Sequence, residues 1–261
     1  MITESFDPNP TGVILPSFFA KPVPGMPKVA VTCFSHTLYS RLAAELCAEP
    51  IEEVQLGSAN GKDPVCRALF GGSEFTLFLS PVGAPACVGL YEELFETGVE
   101  SIVVFGTCGV LDGSIRDCSI VLPTEALRDE GTSYHYAPAS ETIEVNAGTL
   151  ALARETLDAL GVSYTTGKVW TTDAVYRETR GMVERRKAQG CIAVDMECSA
   201  IAALCAMRGK TVLQFFYAAD NLDGEQWDKR SLSNEANLAE KDRVAFVALK
   251  LAERLLKKGD V

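Results

Sequence analysis

Short apolar runs alternate along the chain with stretches whose apolar residues recur at helical spacing. The run at 101–105 predicts a buried strand, and residues 147–160 predict an amphipathic helix. Gly71 and Gly72 separate two further apolar runs, which predicts a β-hairpin. Residues 235–258 predict a long C-terminal helix with one apolar face. Alternation of this kind is typical of an α/β fold.

The stretch from 191 to 220 predicts a strand, a helix and a second strand. Residues 191–194 are apolar, Gly209 stands where a helix C-cap glycine belongs, and a second apolar run ends at Asp220. Such a βαβ unit predicts two parallel strands joined by a right-handed crossover. Glu197 and Asp220 would then follow the carboxyl ends of parallel strands, where α/β sheets place ligands. We expect both acids to face one crevice.

Domain organisation is simple. Residues 1–27 hold six of the twelve prolines and little periodicity, which predicts an arm that lies on the body or on a neighbouring subunit. Residues 28–261 contain no linker, repeat or low-complexity segment, and we expect them to form one domain.

Composition excludes several classes of function. A net charge of −11 argues against binding to nucleic acid or to anionic membranes. No apolar run reaches the ~18 residues of a membrane span, and the first ten residues lack the layout of a signal peptide. Nine cysteines, an odd number without a CxxC pair, indicate reduced thiols and a cytoplasmic protein. Two distant histidines and unclustered cysteines predict no metal site.

Three features occur in a recognisable order: a strand followed by GTCG at 101–109, the stretch VDMECSAIA at 194–202, and the strand ending in Asp220. Their spacing resembles the nucleoside phosphorylase-I family, whose members cleave the N-glycosidic bond of nucleosides. The segment RDEGTSYHYAP adds similarity to uridine phosphorylases. The resemblance covers about residues 28–256 and implies a single three-layer α/β/α domain with a large mixed sheet. It also implies a homo-oligomer (dimer or hexamer), a small-molecule nucleoside as substrate, and inorganic phosphate as co-substrate with no cofactor.

Cleavage of a glycosidic bond passes through an oxocarbenium-like sugar, which a nearby carboxylate stabilises. By resemblance, Glu197 is the ligand of the ribose hydroxyls and Met196 lies against the sugar. The first helical turn is expected to keep Glu197 ionised. Asp220 aligns with the base-contacting aspartate of purine-specific members, and a buried carboxyl with a raised pKa suits protonation of the leaving base. The structural alternatives are a helix N-terminal Glu beside a core Met, and an aspartate that caps a turn.

The resemblance assigns further residues to the substrate. Thr107 resembles the residue that touches both phosphate and ribose, and the glycine-rich turn that begins at Gly106 is expected to expose backbone N–H groups to an anion. Val175 stands where an aromatic residue that stacks on the base is usual. Three polar neighbours are candidates for reading the base: Tyr176, Arg177 and Glu178. The uridine-type Gln-x-Arg signature is not legible, so the preferred base stays open.

The phosphate site departs from the family pattern. Val104 and Leu38 occupy positions where phosphorylases carry arginines, and Phe34 replaces a glycine. Ser35 and His36 are candidates for a replacement site, although a place beside a helix cap suits His36 better than a ligand role.

Three arginines are further candidates for the missing cation: Arg41, Arg67 and Arg128, the last two reaching in from this or another subunit. The other histidine, His135, fits a loop hydrogen-bonding role better than that of a general base. If no cation reaches the pocket, water becomes the acceptor and the enzyme is a nucleosidase. A non-catalytic nucleoside-binding protein is the third alternative.

Overall fold

The computed structural model describes residues 1–54, 56–57, 61, 63–233 and 235–259. Across these residues the chain forms ten strands and seven α-helices. The strands are β1 (Val29–Cys33), β2 (Glu49–Pro50), β3 (Cys66–Phe70), β4 (Ser73–Leu79), β5 (Ser101–Val110), β6 (Ile120–Asp129), β7 (Thr142–Glu144), β8 (Tyr164–Thr172), β9 (Cys191–Asp195) and β10 (Thr211–Asn221). The helices are α1 (His36–Glu45), α2 (Ala84–Glu96), α3 (Ser133–Tyr136), α4 (Leu150–Ala159), α5 (Arg180–Ala188), α6 (Cys198–Arg208) and α7 (Leu238–Gly259).

All ten strands belong to one mixed sheet. Its order is β10-β6-β8-β9-β5-β1-β4-β3-β2, with β7 paired to β6. Because β10 pairs with both β6 and β5, five strands (β5, β10, β6, β8 and β9) close into a ring. β3 and β4 form the hairpin predicted at Gly71 and Gly72. The sheet is thus an open wing joined to a closed ring, with β5 shared by both.

Helices cover both faces of the sheet, which gives the three-layer α/β/α arrangement expected from the sequence. On one face, residues of α1, α4 and α7 pack into a core with β1, β5 and β10, including Leu42, Leu157 and Leu251. On the other face, α2 and α6 pack against residues such as Ile102, with Leu94 and Leu204 fully buried. Both faces of the central strands are apolar for this reason.

The predicted parallel βαβ unit at 191–220 is wrong in its strand direction. β9 pairs antiparallel with β5, whereas β10 pairs parallel with β5, so β9 and β10 run in opposite directions with β5 between them. α6 is placed as predicted and ends at Gly209, whose φ of 63° is left-handed. Local periodicity does not reveal that the sheet closes on itself, and this closure sets the direction of β9.

β5 is longer than the strand predicted at 101–105. It continues through the GTCG segment to Val110, beside the equally long β6. Gly106 lies within β5, and a Cβ at this position would lie 2.7 Å from Cδ2 of Phe34. Close packing of the Phe34 side chain therefore accounts for the glycine, which the sequence suggested was part of a turn.

The first 27 residues contain two single-turn 3₁₀ helices, Ile2–Glu4 and Pro16–Phe18. The backbone carbonyl of Pro10 accepts a hydrogen bond from Arg208 of α6 at 2.7 Å. No helix among the described residues has the length and apolar character needed to cross a bilayer.

Candidate active site

Glu197 and Asp220 line one cavity of about 200 Å³, here called the carboxylate cavity. They arrive from opposite directions, since Glu197 follows the end of β9 and Asp220 lies near the end of β10. Other residues predicted from the sequence line the same cavity: Thr107, Val175, Met196 and Glu178. The expectation that the two acids face one crevice agrees with this geometry, although the strands that carry them are not parallel.

Glu197 is a buried acid, with 6% of its surface exposed. It is the N-cap residue of α6, and its Oε1 accepts a hydrogen bond from the backbone N–H of Gly83 at 2.5 Å. Burial, with a smaller contribution from nearby Asp195, raises the pKa of Glu197 to about 8. The expectation that the helix dipole keeps Glu197 ionised is therefore wrong, because desolvation outweighs it.

Asp195, the last residue of β9, positions the segment that carries Glu197. One carboxylate oxygen accepts hydrogen bonds from the backbone N–H groups of Glu197 at 2.8 Å and Cys198 at 2.6 Å. The other accepts from the hydroxyl of Thr171 at 2.7 Å. This Asx-type arrangement fixes the turn between β9 and α6. Burial raises the pKa of Asp195 to about 6 in spite of these three donors.

Asp220 lies at an irregularity in β10. The register between β10 and β5 shifts between Ala218 and Asp220, the signature of a bulge that redirects a side chain. Trp227 donates an indole N–H to Oδ2 of Asp220 at 2.7 Å. Asp220 is 8% exposed, and its burial raises the pKa of the carboxyl above its ordinary value, although the Trp227 bond opposes this.

The base-reading candidates at 175–178 separate into two pairs. Val175 and Glu178 line the carboxylate cavity, and burial, with repulsion from Asp220, raises the pKa of Glu178 to about 7. Tyr176 is 97% exposed, and Arg177 is also exposed. Neither of these two lines the cavity.

The candidates for a phosphate cation are engaged elsewhere in the chain. Arg41 pairs with Asp242, and Arg67 bonds Glu74 at 2.5 Å and the carbonyl of Gly25 at 2.9 Å. The buried guanidinium of Arg128 donates to residues 133, 138 and 140. Within one chain, none of the three arginines lines the carboxylate cavity.

Ser35 and His36 also differ in their placement. Ser35 is the N-cap of α1, with its hydroxyl accepting from Leu38 N–H at 3.3 Å, and it lines a second cavity together with Gly106 and Thr107. His36 is the exposed first residue of α1 and contacts neither cavity. The other histidine, His135, is exposed at the end of α3.

Sequence reasoning missed three residues at the site: Asp195, Trp227 and Lys241. Asp195 could have been identified from the sequence, since an aspartate two residues before a helix N-cap commonly accepts hydrogen bonds from the backbone that follows it. Trp227 lies in a polar segment without periodicity, and Lys241 belongs to the first turns of α7. Neither showed a local pattern that indicated its position.

Electrostatically, the carboxylate cavity is suited to a neutral, hydroxyl-bearing ligand that gains positive charge. Four acids line it (Glu178, Asp195, Glu197 and Asp220), and no lysine, arginine or histidine among the described residues does. Buried carboxyls of raised pKa can exchange protons near neutral pH. The arrangement therefore fits proton transfer at one end and stabilisation of a cation at the other.

Comparison with known proteins agrees with this architecture. A family model described as the phosphorylase superfamily matches residues 28–257. The chain is 26% identical over 170 residues to guanosine phosphorylase from Halorubrum lacusprofundi, covering 64% of this chain and 67% of the relative. The chain spans 61–67% of the length of the curated relatives that it matches.

Two solved structures share the fold. Purine nucleoside phosphorylase from Toxoplasma gondii, in complex with immucillin-H, superimposes with a TM-score of 0.74 at 18% identity, covering 89% of this chain and 93% of that one. Uridine phosphorylase from Vibrio fischeri ES114 gives a TM-score of 0.70 at 20% identity, with the same coverage of 89% and 93%. The architecture and the family match over most of the chain lead to one conclusion: this protein belongs to the phosphorylase superfamily.

Proposed function

We propose that the protein is a nucleoside phosphorylase that cleaves the N-glycosidic bond of purine nucleosides, with inorganic phosphate as acceptor. The observation that carries the proposal is the meeting of Glu197 and Asp220 in one cavity, both buried and both with a raised pKa. A purine offers a ring nitrogen, N7, that an acid can protonate as the base leaves, so an acid at the base end favours purines.

Glu197 is assigned to the ribose. Two sugar hydroxyls would donate to its carboxylate, and such donors favour the ionised form and lower its pKa on binding. The charge then lies beside the sugar as it becomes oxocarbenium-like. Met196 would form the apolar wall on the sugar, and Thr107 would lie between ribose and acceptor.

Asp220 is assigned to the base. As a phosphate oxygen bonds to C1′, the C1′–N bond breaks and its electron pair passes to the base, to which Asp220 donates a proton. Asp220 regains a proton from solvent, which receives the one that hydrogen phosphate loses. Glu178, with a pKa raised to about 7, would accept a hydrogen bond from a base N–H, and Val175 would contact the ring; both line the carboxylate cavity.

Hydrolysis is the second candidate, and the lack of a cation for phosphate beside the carboxylates, in the part of the chain that the structure describes, favours it. Val104 and Leu38 stand where the family resemblance expects arginines, and no cation among the described residues lines the carboxylate cavity. Water would then replace phosphate as the acceptor, with the same roles for Glu197 and Asp220.

One experiment separates the candidates. The purified protein is incubated with inosine, guanosine, adenosine and uridine, with and without phosphate, and base release is followed by chromatography. Release that requires phosphate and favours purines supports the proposal. Release without phosphate identifies a nucleosidase, and binding without release identifies a non-catalytic protein.

We also propose that the protein is a cytoplasmic homo-oligomer. Three apolar side chains near the site are exposed in the single chain: Val82 at 61%, Val175 at 47% and Trp227 at 57%. A second subunit over this rim would remove them from water. Light scattering gives the mass of the assembly, and a monomer would contradict the proposal.

A further inference from the structure

A second cavity, of about 230 Å³, adjoins the carboxylate cavity. The two share four lining residues: Phe34, Val82, Thr107 and Leu232. Among the described residues that line this second cavity, Lys241 alone carries a full positive charge. We call it the lysine cavity.

Lys241 is a buried cation, with 4% of its surface exposed. Its Nζ donates to the backbone carbonyls of Ser231 at 3.0 Å and Ser233 at 2.5 Å. Both of these bonds go to backbone carbonyls, although Cys118 and Asp117 lie close enough to raise its pKa. Burial has the larger effect and lowers the pKa of Lys241.

A buried ammonium group is costly unless an anion compensates it. An ammonium has three N–H donors, and the two carbonyls take two of them, which leaves one for a ligand. Further donors are available from the surroundings, since Thr107 lines the cavity and Ser35 places the N-terminus of the ten-residue helix α1 at its edge. These groups together form a site for a small tetrahedral oxyanion.

We propose that Lys241 is the cation of a phosphate subsite in the lysine cavity, adjoining the carboxylate cavity at Thr107. The assignment rests on the proposed function for its place in the reaction. It explains how phosphate can be the acceptor although Val104 and Leu38 replace the expected arginines, because the charge comes from a distant segment, α7. The phosphate group held there is free inorganic phosphate, which is the acceptor; the phosphate of a nucleoside 5′-monophosphate is the competing source.

Kinetics of a matched set of variants test the proposal. Initial rates are measured at saturating nucleoside with phosphate varied, for wild type, Lys241→Met, Lys241→Arg and Lys250→Met. Lys250 lies on the same helix, outside both cavities, and pairs with Glu253 at 3.1 Å, so its variant controls for loss of a positive charge on α7.

We expect Lys241→Met to raise the KM for phosphate at least about tenfold, with the KM for nucleoside within twofold of wild type. Lys241→Arg should bring the KM for phosphate most of the way back to the wild-type value, and Lys250→Met should behave as wild type. A phosphate KM within twofold of wild type in Lys241→Met overturns the proposal. An equal rise in the KM for phosphate and the KM for nucleoside also overturns it, because Lys241 would then only hold the 231–233 segment.

Phosphate binding by calorimetry separates this inference from the proposed function. If no nucleoside is cleaved but phosphate binds wild type and not Lys241→Met, the proposed function is contradicted and the phosphate subsite is supported. If phosphorolysis occurs with the same phosphate affinity in Lys241→Met, the inference fails and the function stands. Cleavage of a nucleoside 5′-monophosphate that depends on Lys241, without binding of free phosphate, would overturn the assignment to the acceptor.

Folding of Lys241→Met is checked by circular dichroism and thermal melting, because the variant loses two bonds to backbone carbonyls. If it does not fold, wild-type crystals soaked in phosphate provide the test. Density within hydrogen-bond distance of Lys241 Nζ supports the inference. Phosphate bound elsewhere, with the lysine cavity empty, refutes it.

Discussion

Replacing Glu197 by glutamine removes an acid that the folded protein holds in its protonated form near neutral pH, while an amide oxygen can still accept from Gly83. In the unfolded chain Glu197 ionises near its ordinary pKa of 4.5, and in the folded protein at about 8. Between these values the unfolded state binds fewer protons, so this residue makes the free energy of unfolding fall as pH rises. Above about pH 8 the free energy of unfolding no longer falls on account of Glu197, because the residue is then ionised in both states.

The size of this loss follows from the two pKa values. At 1.36 kcal/mol per pH unit, the gap between 4.5 and about 8 gives an upper limit of about 5 kcal/mol. Water entering the cavity beside the ionised carboxylate reduces the cost of its burial, so we expect the loss of stability to be about 1–3 kcal/mol. The Glu197→Gln variant should therefore gain this much stability relative to wild type between pH 5 and pH 9, while kcat/KM falls about 10²–10³-fold.

Urea unfolding at pH 5, 7 and 9, followed by circular dichroism, measures the effect. Glu155→Gln is the matched control, since Glu155 is an exposed residue of α4 and its substitution should change stability by less than about 0.5 kcal/mol at every pH. A stability difference between Glu197→Gln and wild type that does not grow with pH would show that the folded protein holds Glu197 ionised. The assignment of its raised pKa would then be wrong.

Three further substitutions test the rest of the site. Asp220→Asn should lower kcat/KM for purine nucleosides about 10²–10⁴-fold and for uridine much less; equal losses measured on inosine and uridine would make Asp220 structural. Trp227→Phe removes a donor to Asp220 and so raises its pKa further, which should move the alkaline limb of the kcat/KM profile to higher pH; an unmoved limb would contradict this role. Gly106→Ala places a methyl group 2.7 Å from Phe34, so thermal and urea unfolding should show a loss of about 1–3 kcal/mol, and an unchanged midpoint would mean that the ring moves freely.

Features that depend on local chemistry could be predicted from the sequence. Gly209 indicated the end of α6 because a left-handed residue there favours glycine, and the Gly71–Gly72 pair indicated a hairpin. Glu197 and Asp220 could be expected at one crevice because each acid stands at the end of an apolar run of strand length. The parallel direction assumed for the two strands was wrong, and the acids meet because the ends of β9 and β10 both pair with β5 at Gly109.

Features that depend on distant neighbours could not be predicted. The glycines of GTCG suggested a turn, but the segment continues β5, and Gly106 is a glycine because Phe34 leaves no room for a Cβ there. The direction of β9 follows from closure of the ring, and the burial of Lys241 follows from the docking of α7. The pKa of Glu197 likewise reflects desolvation by the assembled core, which outweighs the position at a helix N-terminus.

The opposed directions of β9 and β10 have a consequence for how substrate preference can change in this fold. Glu197 follows β9 and Asp220 lies in β10, on opposite sides of β5, so different connecting segments follow the two strands. Residues 222–228, which carry Trp227, can change in composition while the turn held by Asp195 and the 231–233 segment that bonds Lys241 stay intact. Under the proposed function, residues beside the base can therefore change without a change in the residues that hold the ribose.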